Sequence, residues 1–239
     1  MNDEDAPLQP VRSSIRRIAF APPDERAASA PTIGSLQAGE KVRRAGAPAD
    51  AIEGVRRLHF GEVERSPAAE AAVSWWRGIR AERPLLALLG PTGLGKTTAA
   101  AFAAFEAARE YPWNSCASGG GSWEPLVWLA AADVALLQSW FDDGKRQAEE
   151  ARRAWLLVID DAGHEKERPA IAALTDLLMR RIDGKRATIL TTNLRGREFA
   201  GRYGVPVVDR MKVSAYVPEL GSHASLRKPA GKPQQEAKR

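Results

Sequence analysis

Apolar and polar positions along the chain fall into alternating blocks of two kinds. Leu85 to Leu89, Leu126 to Ala130, Trp155 to Ile159 and Thr188 to Thr191 are short apolar runs without the alternation of a half-exposed strand, and each reads as a strand buried on both faces. Val213 to Val217 can supply a fifth. Between the strands the period lengthens to that of a helix. Thr97 to Arg109 is an Ala-rich helix, Val134, Leu137 and Phe141 lie on one side of another, and Ile171, Leu174, Leu178 and Ile182 mark an amphipathic helix. Ahead of the first strand, Ser66-Pro67 offers an N-cap followed by proline at the first helical position, opening a helix that carries Trp75 and Trp76 and stops before Pro84. Strands each followed by a helix predict an α/β fold: a five-stranded parallel sheet between two helical layers.

The ends of the chain read differently. Residues 1 to about 50 hold Pro7, Pro10, Pro22, Pro23, Pro31 and Pro48, few apolar side chains and nearly balanced charge. Such a stretch buries too little surface to offset its ordering entropy. Within it, Val11, Ile15 and Ile18 fall on one helical face, as a sticky linker or a short partner-docking helix would place them. From Gly221 the tail is polar and basic. The expected division is a flexible segment over 1–55, a folded α/β domain over 56–220 and a basic tail over 221–239.

Composition adds limits. The 239 residues carry 44% hydrophobic and 27% charged side chains, ordinary for a globular protein, with a net charge of +5 that permits a polyanionic partner without naming one. Cys116 is the single cysteine, so no intrachain disulfide and no four-cysteine zinc module can form. The acidic start Met-Asn-Asp-Glu-Asp is unlike a secretory signal, and no run approaches the roughly 18 apolar residues of a membrane span. The expectation is a soluble, cytoplasmic protein that does not enter a membrane.

Chemistry enters at Gly90-Pro91-Thr92-Gly93-Leu94-Gly95-Lys96-Thr97, which matches G-x-x-x-x-G-K-[ST] without a mismatch. Glycines let backbone N–H groups curl around phosphate oxygens, and the helix that follows points its positive end at the same anion. Lys96 would reach the β and γ phosphates, the Thr97 hydroxyl would ligate Mg2+, and Thr98 would complete the ATP-binding run. A chance match occurs in roughly one chain in a hundred of this length. Its position between a predicted strand and a predicted helix sets it apart from an ordinary glycine turn.

The strand Trp155 to Ile159 ends in Asp160-Asp161. Ligands in open parallel sheets bind at the carboxyl ends of strands, so both acids should face the loop. Asp160 is the expected magnesium holder and Asp161 the group that polarises the attacking water. Asp161 is one methylene shorter than the glutamate common in P-loop ATPases, which predicts slow hydrolysis. Glu165 is a lesser candidate for the same task, with a helix N-terminal role expected first. Asn193, closing the fourth strand after Thr191-Thr192, can donate and accept hydrogen bonds and so position that water.

Over residues 66 to about 227 these features together resemble the AAA+ ATPases of the DnaC/IstB family, the bacterial helicase loaders and insertion-sequence helpers. Beyond the nucleotide motifs, the resemblance rests on Trp140-Phe141-Asp142-Asp143-Gly144, Ile189-Leu190-Thr191-Thr192-Asn193-Leu194, Val208-Asp209-Arg210-Met211 and Ser225-Leu226-Arg227. It implies that Asn193 senses the γ phosphate, that Arg210 is an arginine finger acting on the ATP of a neighbouring subunit, and that Arg227 is a second basic residue near the nucleotide. It also implies one AAA+ domain without a separate helical lid, self-assembly into a homo-oligomer on DNA, and a replicative helicase or a transposase as partner. Two features depart from the family: the N-terminal segment does not look like a folded helicase-binding or zinc domain, and Tyr111 to Glu124, with Gly119-Gly120-Gly121, reads as an inserted loop.

Candidate DNA contacts are Lys145, Arg146, Arg152 and Arg153, in the region that in this family resembles the insertion lining a single-strand channel, and a second cluster of Arg180, Arg181, Lys185 and Arg186. Contacts of this kind pair with phosphates, ignore sequence and weaken with salt. Each basic pair would equally suit a solvated helix face. Trp113 and Trp123 could stack on bases or pack within the loop. The resulting expectation is an ATP-dependent DNA-associated loader or remodeller. A P-loop kinase of a small acceptor and a nucleotide-binding adaptor that hydrolyses nothing are the alternatives.

Overall fold

The computed structural model describes residues 33–110, 126–138 and 142–220. Its order is α1 (Ile33–Arg44), α2 (Ala49–His59), α3 (Pro67–Arg77), a 3₁₀ turn (Ile79–Ala81), β1 (Leu85–Leu89), α4 (Lys96–Glu110), β2 (Leu126–Ala130), a 3₁₀ stretch (Ala131–Gln138), α5 (Asp142–Arg153), β3 (Leu156–Ala162), α6 (Arg168–Asp183), β4 (Ala187–Thr192), α7 (Gly196–Tyr203), α8 (Val205–Ser214) and β5 (Ala215–Tyr216). The strands form one parallel sheet in the order β2-β3-β4-β1-β5. This is the three-layer P-loop architecture expected from the sequence.

Alternation along each strand divides the core. Leu86, Leu88, Leu126, Trp128, Leu156, Val158 and Ile189 pack with α1 to α4 on one face. Leu85, Ala87, Leu157, Ile159 and Leu190 pack with α6, α7 and α8 on the other. The alanines of α4 explain the first layer. Ala99, Ala100, Ala101, Ala103, Ala104, Ala107 and Ala108 are all buried, and side chains this small let three neighbouring helices approach one axis. The start of α3 is as the sequence predicts: Ser66 Oγ accepts from the Ala69 N–H at 3.2 Å, with Pro67 at the first helical position.

Several expectations need correction. The flexible segment does not extend to residue 55. Residues 33–59 form α1 and α2, whose Ala38, Val42, Ala51, Val55 and Leu58 are buried against α4. Their spacing of three and four places them on inner helical faces, with the charges outside. Gly54 lies so near α4 that a Cβ there would stand 2.6 Å from Thr98 Cγ2. The run containing Val134 is a 3₁₀ stretch followed by a separate helix beginning at Asp142, and Phe141 lies outside the described residues. The fifth strand spans only Ala215 and Tyr216, because α8 continues through Ser214 and leaves Val213 exposed. The Val11–Phe20 pattern, the Tyr111–Glu124 insertion with Trp113 and Trp123, and the basic tail lie outside the described residues. Among the described residues no helix is long and apolar enough to cross a membrane.

Candidate nucleotide site at the carboxyl edge of the sheet

β1 and β4 are neighbours in register, Leu89 opposite Thr192, so Gly90 and Asn193 leave the sheet at the same level. β3 lies on the other side of β4, bringing Asp160 to the same edge. Residues from three separate stretches of chain therefore converge on the loop between β1 and α4.

That loop turns through positive φ at Gly90 (137°), Gly93 (88°) and Gly95 (72°), a backbone course closed to most side chains. The Ala99 N–H donates to the Gly95 carbonyl at 2.8 Å, opening α4 directly behind the loop. The Lys96 ammonium is buried and donates to the carbonyls of Gly90 (2.8 Å) and Pro91 (2.7 Å) and to Asn193 Oδ1 (2.9 Å). Its three protons are thus directed at oxygens on both walls of the loop mouth.

Asp160 is 6% exposed. Its Oδ1 accepts from the hydroxyls of Thr97 (3.0 Å) and Thr191 (2.6 Å). Burial pushes its pKa above the ordinary carboxylate value; the two hydroxyl bonds oppose this, and the neighbouring Asp161 charge adds to it. Mg2+ suits this donor set: a carboxylate and a hydroxyl are hard oxygen ligands, and the ion ordinarily keeps water and phosphate oxygens for its remaining positions. Thr97 and Asp160 would hold it, and a divalent cation there would neutralise phosphate charge.

Sequence reading did not single out Thr191 as part of this site. Its hydroxyl accepts from the Asp161 N–H at 2.9 Å while donating to Asp160, so one buried side chain sets both acids. A hydroxyl buried in a central strand was the available signal. The next residue acts similarly, Thr192 Oγ1 donating to the Ala162 carbonyl at 2.5 Å. Between Ile159 and Ala162 the β3–β4 register slips, and Asp161 takes a positive φ of 58° with its residue exposed. A bulge of this kind re-aims a side chain at a sheet's end. Asp161 thus points to a different environment from its buried neighbour.

Glu165 departs from both expectations for it. It does not cap a helix, since α6 begins at Arg168, and its carboxylate is engaged elsewhere. Oε1 accepts from Tyr203 Oη (2.7 Å) and the Gly163 N–H (3.1 Å), Oε2 from Arg202 Nε (2.8 Å), and its backbone carbonyl from Arg202 Nη2. Burial and this carboxylate raise the Tyr203 pKa.

Other candidates lie away from this cluster. Arg210, exposed on α8, pairs with Asp183 at 2.9 Å. Asp183 ends α6 ahead of β4, toward the amino-terminal strand ends, so Arg210 is not brought to the phosphate loop of its own chain. Arg227 lies outside the described residues. On α5, Lys145 and Arg146 are exposed; Arg146 pairs with Glu150 (3.8 Å), Arg152 with Glu149 (3.9 Å) and Asp176 (3.6 Å), and Arg153 with Glu149.

Arg181 is no DNA contact. It is 1% exposed and donates to Thr188 Oγ1 (2.8 Å) and to the carbonyls of Ala151, Arg152, Ala154 and Ala187, joining α5, α6 and β4. Its neighbour Arg180 pairs with Asp176 at 2.7 Å.

No protein-family model matches the chain. No curated protein matches it either. Among solved structures it is similar to a DnaI protein, at 18% identity over 67% of this chain and 82% of that one, with a TM-score of 0.49. It is also similar to a DnaC helicase loader, at 20% identity over 63% and 87%, TM-score 0.47. A replication initiator DnaA, bound to AMPPCP and single-stranded DNA, is similar at 15% identity over 66% and 48%, TM-score 0.49.

Proposed function

We propose that this chain is a magnesium-dependent ATPase of the AAA+ loader or remodeller type, assembling on DNA under ATP control. The observation that carries the reading is the convergence of Lys96, Thr97, Asp160 and Asn193 at one edge of the sheet. In this reading the loop amides and Lys96 bind the triphosphate. Thr97 and Asp160 hold its cation, which screens the phosphate charge. Asn193, now bonded to Lys96, exchanges that bond for the γ phosphate and the attacking water, and Asp161 orients the water as base. Lys96 has three protons to distribute, so phosphate oxygens replace the carbonyls of Gly90 and Pro91 without stranding a charge.

The DNA part of the reading rests on α5, where Lys145 and Arg146 stand exposed, Arg146 with Glu150 beside it at 3.8 Å. Glu149 and Asp176 answer part of the Arg152 and Arg153 charge, so these two contribute less to phosphate binding. Arg210 supports the assembly part of the reading: as a finger remote from its own loop, it would serve catalysis only in a neighbouring subunit. Helicase loading and help to a transposase use the same machinery, and pull-down of each partner separates them.

The test is ATP turnover and assembly mass measured together, with and without single-stranded DNA. Turnover without an acceptor, accelerated by DNA and accompanied by an ATP-dependent rise in mass, is expected. Turnover that requires a small phosphate acceptor would favour a kinase. Binding without turnover would favour the adaptor. Arg210→Ala should bind ATP and lose turnover by about 10³-fold, as removal of a finger does. Mixing it with Lys96→Ala subunits should restore activity, because each variant supplies what the other lacks.

A further inference from the structure

Glu165 is a carboxylate at 3% exposure, close to the site and yet turned away from it. Buried carboxylates are costly unless fully bonded, and this one is: both oxygens and the backbone carbonyl of the residue are engaged, chiefly by consecutive residues of α7 lying 37 and 38 positions downstream. The bonds join two loops that carry chemistry. One is the bulged end of β3 with the turn after it, running from Asp161 through Gly163 to Glu165. Within it the Gly163 N–H donates to Glu165 Oε1 and the His164 N–H to the Asp161 carbonyl at 3.3 Å. The other is the exit of β4, where Asn193-Leu194 leads into α7. The loops also touch directly: Gly163 has a φ of 110°, and a Cβ there would meet Leu194 at 2.9 Å. Leu194 is held in turn by its N–H, which donates to Thr192 Oγ1 at 3.1 Å.

We propose that Glu165, clamped by Arg202 and Tyr203, is a positioning residue that locks the Asp161 turn to the Asn193 loop, so that the two groups are presented to the γ phosphate as one unit. The proposal rests on the ATPase reading above and adds to it how the water-handling groups are held. Neither Asp161 nor Asn193 is fixed by its own element alone. Asp161 sits in a bulge at a positive φ, and Asn193 lies between a strand end and a short helix. A displacement of about 1 Å at such groups is enough to lower turnover about 10²-fold while leaving phosphate binding, which depends on Gly90 to Thr97, in place. Arg202 and Tyr203 contribute through Glu165 and need not touch nucleotide.

The experiment compares the full chain with Glu165→Ala, Glu165→Gln and Tyr203→Phe. It measures affinity for a fluorescent ATP analogue, kcat and KM for ATP, and the melting curve that defines where each variant is folded. Glu165→Ala should keep nucleotide affinity within about threefold and lose kcat by about 30-fold or more at a temperature where it is folded. Glu165→Gln keeps an acceptor for Tyr203 and the Gly163 N–H but sets an amide NH2 against Arg202 Nε, and should recover part of that loss. Tyr203→Phe should fall between them. Were Glu165→Ala to melt earlier but turn over ATP at the wild-type rate while folded, the clamp would be structural only and the proposal wrong. Should Glu165→Ala not fold, wild-type kcat in both Glu165→Gln and Tyr203→Phe would overturn it equally. Loss of affinity in parallel with kcat would contradict it too. Failure of the ATPase reading looks different, because the wild-type chain itself would then show no turnover.

Discussion

The ammonium of Lys96 and the side-chain oxygen of Asn193 lie 2.9 Å apart although 97 residues separate them in the chain. The bond exists because β1 and β4 are adjacent and in register, so the phosphate loop and the fourth strand's exit open side by side. It ties the group that would bind phosphate to the group that would read it.

Asn193→Ala should separate those two roles. The loop amides and Lys96 would still grip the phosphates, so affinity for ATP with magnesium should stay within about threefold while kcat falls about 10²-fold, the scale of losing one positioned polar group. Equilibrium titration beside steady-state turnover checks this. An equal loss in both would place Asn193 in ground-state binding.

Asp160→Asn should stabilise the nucleotide-free protein at neutral pH. Burial raises the Asp160 pKa above its unfolded value. For an acid so shifted, the stabilising contribution is complete below the ordinary carboxylate range and disappears as pH rises through the raised value. At pH 7 the ionised side chain is therefore a cost, which the amide removes while still accepting from Thr97 and Thr191. Melting should rise by about 2–4 °C for each kcal/mol recovered, and the gap should close on acidification. The extra stabilisation that magnesium adds to ATP should vanish in the same variant.

Arg181→Met should destabilise the fold by about 3 kcal/mol or more, since it strands buried acceptors on α5, β4 and the chain between them. Burial and the nearby Arg186 push the Arg181 pKa down to about 9, so it is charged at neutral pH, and its acceptors keep it so. Urea unfolding measures the loss. Any fall in DNA affinity should track the unfolded fraction, whereas Lys145→Ala should weaken DNA binding in a fully folded chain.

Gly54 and Thr98 give a prediction whose sign depends on background. Alanine at a helical glycine ordinarily gains about 1 kcal/mol, but here the new Cβ meets Thr98 Cγ2, and overpacking of this kind costs about 1–3 kcal/mol. Gly54→Ala should therefore lower stability in the wild type and raise it in a Thr98→Ser chain, where the methyl is gone. Chemical denaturation of the four proteins in that cycle reads the reversal.

What was legible in the sequence depended on how local each signal is. The phosphate loop is written within eight consecutive positions because its geometry needs glycines and a lysine at fixed spacing. Strands β1, β3 and β4 stand out as apolar runs because the sheet is covered on both faces. Helices α1 and α2 were hidden because Ala38, Val42, Ala51 and Val55 make a thin apolar stripe among many charges, and the alanines of α4 that receive it lie far along the chain. Arg180 and Arg181 look alike in sequence, yet only one faces the core; an extra basic residue carries no mark of burial. The partners of Glu165 lie on α7, brought to it by the packing of α6, α7 and the β4 exit, which no local pattern encodes.

The most direct test is calorimetric titration of the chain with ATP, with and without magnesium, beside Lys96→Ala. The account predicts saturable binding that magnesium tightens and that Lys96→Ala abolishes while keeping its folded melting profile. Undiminished affinity in folded Lys96→Ala would contradict it.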